Sequence, residues 1–435
     1  MGCERPVPAA EIPSRLAALE RPNLVLIVVD TLRADWTTPY GFERDTSPEL
    51  NAWARGGVLF ERVRAQSSWT KISMASLMTS LWPRSHGITQ AQDGLAESAV
   101  TLAEVLRDAG YATYGVQTNG WLHQSFGFHQ GFDRYMFPKG GGHPRLGQPS
   151  LWPHADRVYE EAVRLLDAHD RERPFFLYLH FMDVHEYAAP PSFKTFGTDS
   201  RGAYLAAVRW VDDAVRRIRE KLTAAGYLEQ TVLVFAADHG ETFGEHGVHG
   251  HARNVLTPVV WVPLVLRFPF RVEPVRIATQ VRNVDIAPTL LDLAGIPASG
   301  NFEGASLMPL LTGAATEPDR PSYAGLGVPL FPDASVQTAA SDGAWTYARN
   351  APIEKDDENA ARRFQPVAPG VEFLFDRRVD PGENVNLVAR EPTEAGRMRD
   401  LLDRHLTQEG AGVVERGVRI DPWIADRLRA MGYLR

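Results

Sequence analysis

Three runs of almost entirely apolar residues stand out along the chain, at residues 23–29, 174–181 and 231–236. Runs of this length that are rich in β-branched and aromatic residues are typical of strands buried on both faces of a parallel sheet. Residues 201–225 instead repeat apolar positions at the spacing of an amphipathic helix, which Gly226 ends. Strands that alternate with helices predict an α/β fold with a large, mostly parallel, doubly wound sheet.

Each of these three strands is followed by polar residues. Asp30 follows the first run, Asp183 and His185 follow the second, and Asp238 and His239 follow the third. In open α/β sheets, ligands bind at the carboxyl ends of the strands. A helix-capping aspartate would explain any one of these positions, but three together favour a divalent metal site. Ca²⁺ or Mg²⁺ fits if oxygen ligands dominate, and Zn²⁺ or Mn²⁺ fits if more histidines join.

A further candidate is a hydroxyl at the start of a helix. Residues 66–87 pass from a polar loop into a stretch of small and apolar residues, and Thr70 stands at the junction. The first turn of a helix offers unpaired N–H groups and a partial positive charge, so an anion can be held there while the hydroxyl attacks it. A nearby cation would lower the pKa of the hydroxyl. The alternative is that Thr70 or Ser73 only caps the helix.

Composition narrows the functional classes. The chain has 435 residues, of which 44% are hydrophobic and 23% charged, as in an ordinary globular protein. A net charge of −8 and the absence of a basic run argue against a nucleic-acid partner. No stretch approaches the roughly 18 apolar residues that a transmembrane helix requires. Only five of the 46 cationic residues are lysines.

The amino terminus leaves two interpretations open. Cys3 is the only cysteine, which excludes an intramolecular disulfide. Gly-Cys before a polar, proline-rich tether resembles the cleaved end of a bacterial lipoprotein signal, which would place a lipid-anchored protein in the periplasm or cell envelope. Alternatively, Cys3 is a free cysteine in a flexible terminus of a cytoplasmic protein.

Several segments together resemble the sulfatase family of the alkaline phosphatase superfamily. They include RPNLVLIVVDTLRAD, ASLMTSLWPRSHGI, PFFLYLHFMDVHEYAAPP and AADHGETFGEHG, followed by VDIAPTLLDLAGIP, FEGASLMPLL and EFLFDRRVDPGENVNLV. The resemblance implies an α/β/α sandwich with a smaller antiparallel subdomain, and a divalent metal that assists hydrolysis of an anionic ester. We therefore expect a flexible tether at residues 1–20, the main catalytic domain at 21–300 and the smaller subdomain at 301–435.

The departures from the family pattern are informative. A sulfatase carries Cys-x-Pro-x-Arg or Ser-x-Pro-x-Arg, whose first residue is oxidised to formylglycine. Here Thr70, Ile72 and Met74 occupy the first, third and fifth positions of that motif. Threonine cannot become the aldehyde. Asn119 and His251 fall where the family has lysine-containing elements, so the lysines that would bind a sulfate group are missing.

The same resemblance implies roles for individual residues. An unmodified threonine nucleophile resembles the phosphodiesterase and phosphoethanolamine-transferase members of the superfamily. Asn119 would donate to a non-bridging oxygen of the substrate. His185 and His251 would bind the substrate or complete a second metal site. The remaining implied positions are the metal ligands Asp30, Thr70, Asp238 and His239.

Three functions remain possible on the sequence. The leading one is a metal-dependent phosphodiester or phosphonate-ester hydrolase, or a phosphoryl transferase, that acts on a small-molecule or lipid-headgroup ester through Thr70. The others are a sulfate-ester hydrolase without formylglycine and a pseudoenzyme that binds an anion. Phosphorus is favoured because a phosphothreonine can be hydrolysed, whereas a sulfated threonine lacks the release route that the aldehyde provides. The complete set of Asp30, Asp238 and His239 weighs against a pseudoenzyme.

Overall fold

The computed structural model describes residues 5–19, 21–138, 141–143, 148–150, 155–298, 301–313, 319–327, 336–350, 370–431 and 433–434. In these residues the strands are β1 (Asn23–Val29), β2 (Val58–Arg64), β3 (Gly94–Leu95), β4 (Ala112–Val116), β5 (Arg134–Met136), β6 (Gly141–His143), β7 (Gln148–Ser150), β8 (Phe175–Phe181), β9 (Thr231–Ala237), β10 (Thr242–Phe243), β11 (His249–Gly250), β12 (Trp261–Arg267), β13 (Val275–Ile277), β14 (Val281–Arg282), β15 (Ser322–Leu326), β16 (Gln337–Ser341), β17 (Trp345–Asn350), β18 (Glu372–Asp376) and β19 (Val414–Glu415). The helices are α1 (Ile12–Ala17), α2 (Pro48–Ala54), α3 (Thr70–Thr79), α4 (Pro83–His86), α5 (Leu102–Asp108), α6 (Ala155–Asp167), α7 (Ser200–Ala224), α8 (Thr257–Val260), α9 (Ile286–Leu293), α10 (Met308–Leu311), α11 (Pro392–Leu406) and α12 (Pro422–Ala430).

A nine-stranded sheet forms the centre of the fold, in the order β13-β2-β12-β9-β1-β8-β4-β5, with β14 also paired to β2. All pairs are parallel except those that β12 makes with β2 and β9. Every residue of β1, β8 and β9 is buried, which explains their continuous apolar sequences. In register, Val29 pairs with Phe181 on one side and with Ala237 on the other. The three strands therefore end level, and the residues that follow them share one edge of the sheet.

Two separate groups of helices pack around this sheet. Helix α7 contacts α2 and α6, whereas α3 contacts α5 and α9. Helix α7 begins one residue before the predicted 201–225 segment, because the Asp199 side chain accepts a hydrogen bond from Gly202 N and caps it. All ten residues of α3 are buried, so its short, mainly small and apolar side chains suit a helix enclosed on every side.

A second, four-stranded antiparallel sheet, β15-β16-β17-β18, is built from the carboxy-terminal third of the chain. Helix α11 packs on β16 and β17, and its Met398 and Leu402 form a separate apolar cluster with Tyr347 and Leu374. The predicted fold class, a large mostly parallel sheet with a smaller antiparallel one, is confirmed.

The predicted lipid attachment at Cys3 lies outside the described residues. Where the sequence predicted a flexible tether, helix α1 forms, and its Ile12 and Leu16 are buried in the core. Within the described residues, none of the helices combines the length and the apolar character that crossing a membrane would require.

Candidate functional site

The level ends of the central strands bring three predicted metal ligands together. Asp30 directly follows β1, and Asp238 and His239 directly follow β9; all three are fully buried. His239 Nε2 lies 3.4 Å from Asp238 Oδ2 and 3.7 Å from Asp30 Oδ1. Asp30, Asp238 and the buried His180 each offer a ligand atom within 4.8 Å of the others. The parallel register of the sheet thus concentrates carboxylates and imidazoles at one point.

Thr70 lies against this cluster as the first residue of helix α3. Its Oγ1 is 3.2 Å from His239 Nε2, donates to Asp30 Oδ2 at 3.4 Å, and accepts from Asn119 Nδ2 at 3.2 Å. The helix cap is Trp69, which forms no capping hydrogen bond through its side chain. The hydroxyl of Thr70 therefore faces Asp30, His239 and Asn119 and not the amides of its own helix.

The pKa values of the Asp30 and Asp238 carboxyl groups are shifted in opposite directions. Burial raises the pKa of Asp238 well above its usual value, and the negative charge of Asp30 raises it further. Burial would also raise the pKa of Asp30, but the hydrogen bond from His180 and the nearby imidazoles of His185 and His239 outweigh this effect and lower it. Two carboxylates this close in a buried space can both remain ionised at low cost only when positive charge compensates them.

The donor atoms fit a divalent cation. Asp30 Oδ1 and Asp238 Oδ2 are buried and have no hydrogen-bond partner among the described residues. His239 Nδ1 lies 3.0 Å from Gly240 O and donates to it, which leaves Nε2 as the nitrogen that faces the two carboxylates. Two carboxylate oxygens and one imidazole nitrogen thus face one another. This combination of hard oxygen ligands with one nitrogen suits the divalent cations that the sequence suggested.

His180 is a member of the site that the sequence analysis did not identify. It is the penultimate residue of β8, and its Nε2 lies 3.1 Å from Asp30 Oδ2. That oxygen also accepts from Asn119 Nδ2 at 2.7 Å, so Asn119 and His180 hold the Asp30 side chain in place. The available signal was a histidine inside an otherwise apolar strand, where a buried polar side chain requires a partner.

The two other predicted histidines lie beside the cluster and share a neighbour. His251 packs against His239 and His185, with ring centres 4.8 Å apart in each pair. Both His185 Nε2 and His251 Nε2 contact the hydroxyl of Tyr433, at 2.9 and 3.0 Å. His251 Nδ1 lies 3.3 Å from Glu241 Oε2, and burial raises the pKa of Glu241 to about 7. Neither Tyr433 nor Glu241 was among the predicted site residues.

Two polar groups near the site are directed elsewhere. Asp183, which also follows β8, accepts hydrogen bonds from Ala155 N at 2.9 Å and from Trp210 Nε1 at 3.1 Å. Its carboxylate therefore secures helices α6 and α7. Lys71 follows Thr70 in the chain, but its ammonium group donates to two backbone carbonyls of the loop at residues 91–93.

Comparison with known proteins agrees with this geometry. The sulfatase family profile matches residues 22–296. Human arylsulfatase A is 27% identical over 86% of this chain and 84% of its own length, and choline-sulfatase of Rhizobium meliloti is 25% identical over 93% and 90%. Among solved structures, phosphonate monoester hydrolase of Agrobacterium radiobacter has a TM-score of 0.71 at 19% identity, covering 88% of this chain and 95% of that one.

The matched profile spans both strands that carry the acidic cluster as well as helix α3, and the similarity to curated relatives extends through the smaller antiparallel sheet. The fold, the order of the motifs and the convergence of Asp30, Thr70 and Asp238 at one sheet edge all agree with that match. The chain therefore belongs to the sulfatase family of ester hydrolases.

Proposed function

We propose that this protein hydrolyses phosphodiesters or phosphonate esters and that Thr70 Oγ1 is the nucleophile. The observation that carries the proposal is the position of the Thr70 hydroxyl, within 3.4 Å of Asp30, His239 and Asn119 side chains at the start of a buried helix. A capping or purely structural threonine would have no need of three polar side chains around its hydroxyl.

The proposed metal ligands are Asp30, Asp238 and His239, with the Thr70 oxygen beside them. When bound there, a divalent cation would neutralise negative charge on the ester and favour the ionised form of the hydroxyl. The first intrahelical hydrogen bond of α3 runs from Ser73 N to Trp69 O. The amides of residues 70–72 precede it and point along the helix axis, where they favour an anion.

The residues of the chain then have distinct roles in the reaction. Asn119 Nδ2 and Asp30 Oδ2 orient the hydroxyl of Thr70. Its oxygen forms a bond to phosphorus as the bond to the alcohol breaks, and the hydroxyl proton leaves with the alcohol. A water molecule then attacks the phosphothreonine, restores the hydroxyl and releases the phosphorus acid. An acceptor alcohol in place of water would give the transferase reaction.

Phosphorus esters are favoured over sulfate esters because of the residues around position 70. Ile72 and Met74 are buried apolar side chains at the positions where a sulfatase has proline and arginine. Without the aldehyde, a sulfated threonine would have no easy route to release. Sulfate-ester hydrolysis is the second candidate, since the curated relatives described above are sulfatases.

The substrate in this proposal is a small molecule or a lipid headgroup. A lipid attached at Cys3 would bring the site close to headgroup phosphodiesters. Mass spectrometry of the protein from its native membrane fraction would test that attachment: an acylated amino-terminal peptide is expected, and an unmodified Cys3 in all of the recovered protein would rule it out.

The central test replaces Thr70. Turnover of nitrophenyl phosphodiester, phosphonate and sulfate esters should be measured with Ca²⁺, Mg²⁺, Mn²⁺ and Zn²⁺ in turn. Thr70→Ala should lower kcat on the best ester by about 10⁴-fold or more, as loss of a nucleophile does in other enzymes. Thr70→Ser should retain measurable activity because it keeps the attacking oxygen. Thr79→Ala is the matched control, since Thr79 lies in the same helix, is buried and donates only to Ala75 O.

Two results would contradict the proposal. If Thr70→Ala kept near-wild-type rates, attack would have to come from water. If the sulfate ester were the best substrate by a wide margin in every metal, the sulfatase alternative would replace the phosphoesterase.

A further inference from the structure

A second cavity lies at the opposite edge of the central sheet from the acidic cluster. It has a volume of about 440 Å³ and lies between the end of helix α2 and the end of strand β12. Arg267, the last residue of β12, pairs with Leu233 near the start of β9. At roughly 3.3 Å per residue, Leu233 is about 17 Å from Asp238 along that strand. The cavity is therefore separate from the candidate functional site.

The lining of this cavity is strongly cationic. Four arginines line it, and Glu49 is the one carboxylate among the described lining residues. Glu49 is already occupied, because it pairs with Arg219 and accepts from Trp53 Nε1 at 2.7 Å. The arginines of the lining that form no ion pair within the described part of the chain are Arg55, Arg267 and Arg271. Four positive charges against one negative charge leave +3 in the cavity, although the protein as a whole carries −8.

Arg267 is the most buried of the three unpaired arginines. It is half-buried, and its guanidinium donates to the adjacent backbone carbonyl of Phe268 at 3.5 Å. Burial lowers the pKa of Arg267, and the positive charge of Arg219 lowers it further, with the charge of Glu49 opposing both. The carboxyl end of α2 adds at most about half a unit of negative charge. A partly buried cation without a counter-charge is costly, so an anion in the cavity would stabilise it.

The arrangement suits a phosphate monoester better than a carboxylate. A guanidinium presents five N–H donors in a plane and binds oxyanions through pairs of them. A carboxylate has two oxygens and one charge, which a single arginine satisfies. A phosphate monoester carries a charge of about −1.5 to −2 at pH 7 and has three free oxygens, so it can accept from several arginines at once. Trp53 and Phe270 add apolar walls that suit the carbon-bearing part of such an ester.

We infer that this cavity binds the phosphate group of a monoester through Arg55, Arg267 and Arg271. The phosphate can come from a free small molecule or from the headgroup of an anionic lipid. The lipid source has a structural reason, because Val7 N donates to Arg271 O at 3.0 Å. A lipid attached at Cys3, four residues before Val7, would hold this face of the protein near a bilayer. The inference does not depend on the proposed function, since it uses none of the residues around Thr70.

Isothermal titration calorimetry with glycerol 1-phosphate tests the soluble source. The complete chain should be titrated at pH 7.5 and low ionic strength in EDTA, so that no cation at Asp30 and Asp238 holds the phosphate, and again with Mg²⁺. We expect one binding site in EDTA. Arg267→Gln should weaken that binding about tenfold or more, because it removes hydrogen bonds between charged groups.

A matched control separates the cavity from general charge. Arg276 lies on the neighbouring strand β13, but its guanidinium pairs with Glu61 at 2.8 Å, and the residue is exposed. Arg276→Gln removes the same charge and should leave the affinity nearly unchanged. Arg55→Gln combined with Arg271→Gln is a second test variant, since both residues are exposed and their replacement should not disturb folding. It should weaken binding as Arg267→Gln does.

Co-sedimentation with vesicles tests the lipid source. The unacylated protein should be mixed with phosphatidylcholine vesicles that contain phosphatidic acid, whose phosphate is a monoester. Vesicles with phosphatidylglycerol, a diester with one charge, are the comparison. If the lipid is the source, the protein should bind the phosphatidic acid vesicles more strongly than the comparison vesicles, and Arg267→Gln should remove the difference.

Binding in either experiment that the cavity variants weaken and Arg276→Gln does not would support the site and identify its source. Failure of both ligands to bind would overturn it. Equal weakening by Arg267→Gln, the double variant and Arg276→Gln would also overturn it, because the effect would then be one of overall charge. Ester turnover by the wild-type protein reports separately on the proposed function.

Discussion

Replacing Asp238 with asparagine should change stability in opposite directions with and without metal. Asp238 Oδ1 accepts from Thr31 N and His239 N, and the asparagine oxygen can keep both hydrogen bonds. A carboxylate oxygen of Asp238 lies within 4.8 Å of one of Asp30. At an effective dielectric constant of about 20, two unit charges at this separation repel by about 3 kcal/mol. The asparagine amide removes that repulsion, so the metal-free variant should be more stable than the wild type.

The size of the protein determines how large a change in Tm this free energy produces. Unfolding entropy of about 2.1 cal/mol/K per residue converts 3 kcal/mol into a rise in Tm of roughly 3 °C. In the metal-loaded protein the order should reverse. A cation at about 1,000 times its Kd stabilises the wild type by about 4 kcal/mol, and the variant loses most of that because it lacks one charged ligand.

The assay is thermal unfolding at pH 8, followed by circular dichroism, in EDTA and in each divalent cation. Asp183→Asn is the matched control, since Asp183 is a buried strand-end carboxylate that binds Ala155 N and Trp210 Nε1. Asp183→Asn should lower Tm by the same amount in EDTA and in the divalent cations. If Asp238→Asn lowered Tm equally with and without metal, the Asp238 carboxylate would be a structural group and the metal assignment would fail.

Two further predictions concern the nucleophile segment and the acid stability of the fold. Because position 70 is threonine and the proline and arginine of the sulfatase motif are absent, peptide mass mapping across residues 65–84 should show no aldehyde. A formylglycine mass on any residue there would contradict the proposed phosphoesterase mechanism. Burial lowers the pKa of His86 to about 3, so the neutral imidazole stabilises the fold above pH 6.5 and that stability is lost as pH falls toward 3. His86→Asn can still accept a hydrogen bond from Ile88 N. Denaturant titrations should show that its free energy of unfolding falls by about 4 kcal/mol less than that of the wild type between pH 7 and pH 3. Equal decreases in the two proteins would refute the role of His86.

The sequence was most informative where local pattern and topology coincide. The apolar runs of β1 and β9 predicted buried parallel strands, and parallel strands necessarily bring the residues after them to one edge. For that reason Asp30, Asp238 and His239 could be placed together from the pattern of strands alone. The same reasoning placed Asp183 at that edge, but position alone could not show that its carboxylate binds Ala155 and Trp210.

Contacts between distant segments could not be predicted in this way. Tyr433 is 248 residues from His185, and a tyrosine after a short terminal helix carries no pattern that specifies its partner. His180 was hidden for a different reason. Strand periodicity indicates burial, but it does not distinguish a histidine that packs in the core from one that holds a carboxylate.

The distribution of charge links these features to the chemistry. Asp30 and Asp238 place two carboxylates beside Thr70, and the proposed substrate is an anion, so positive charge must be supplied. Lys71 cannot supply it, because burial lowers the pKa of its ammonium group well below the usual value and its hydrogen bonds lead to backbone carbonyls outside the site. The amino terminus of α3 contributes only about half a unit charge. Arg253 lies beside His251, where its guanidinium donates to the backbone carbonyl of that residue at 3.0 Å. Besides the imidazoles that surround Asp30, the proposed source of positive charge at the reacting centre is therefore a divalent cation held by Asp30, Asp238 and His239.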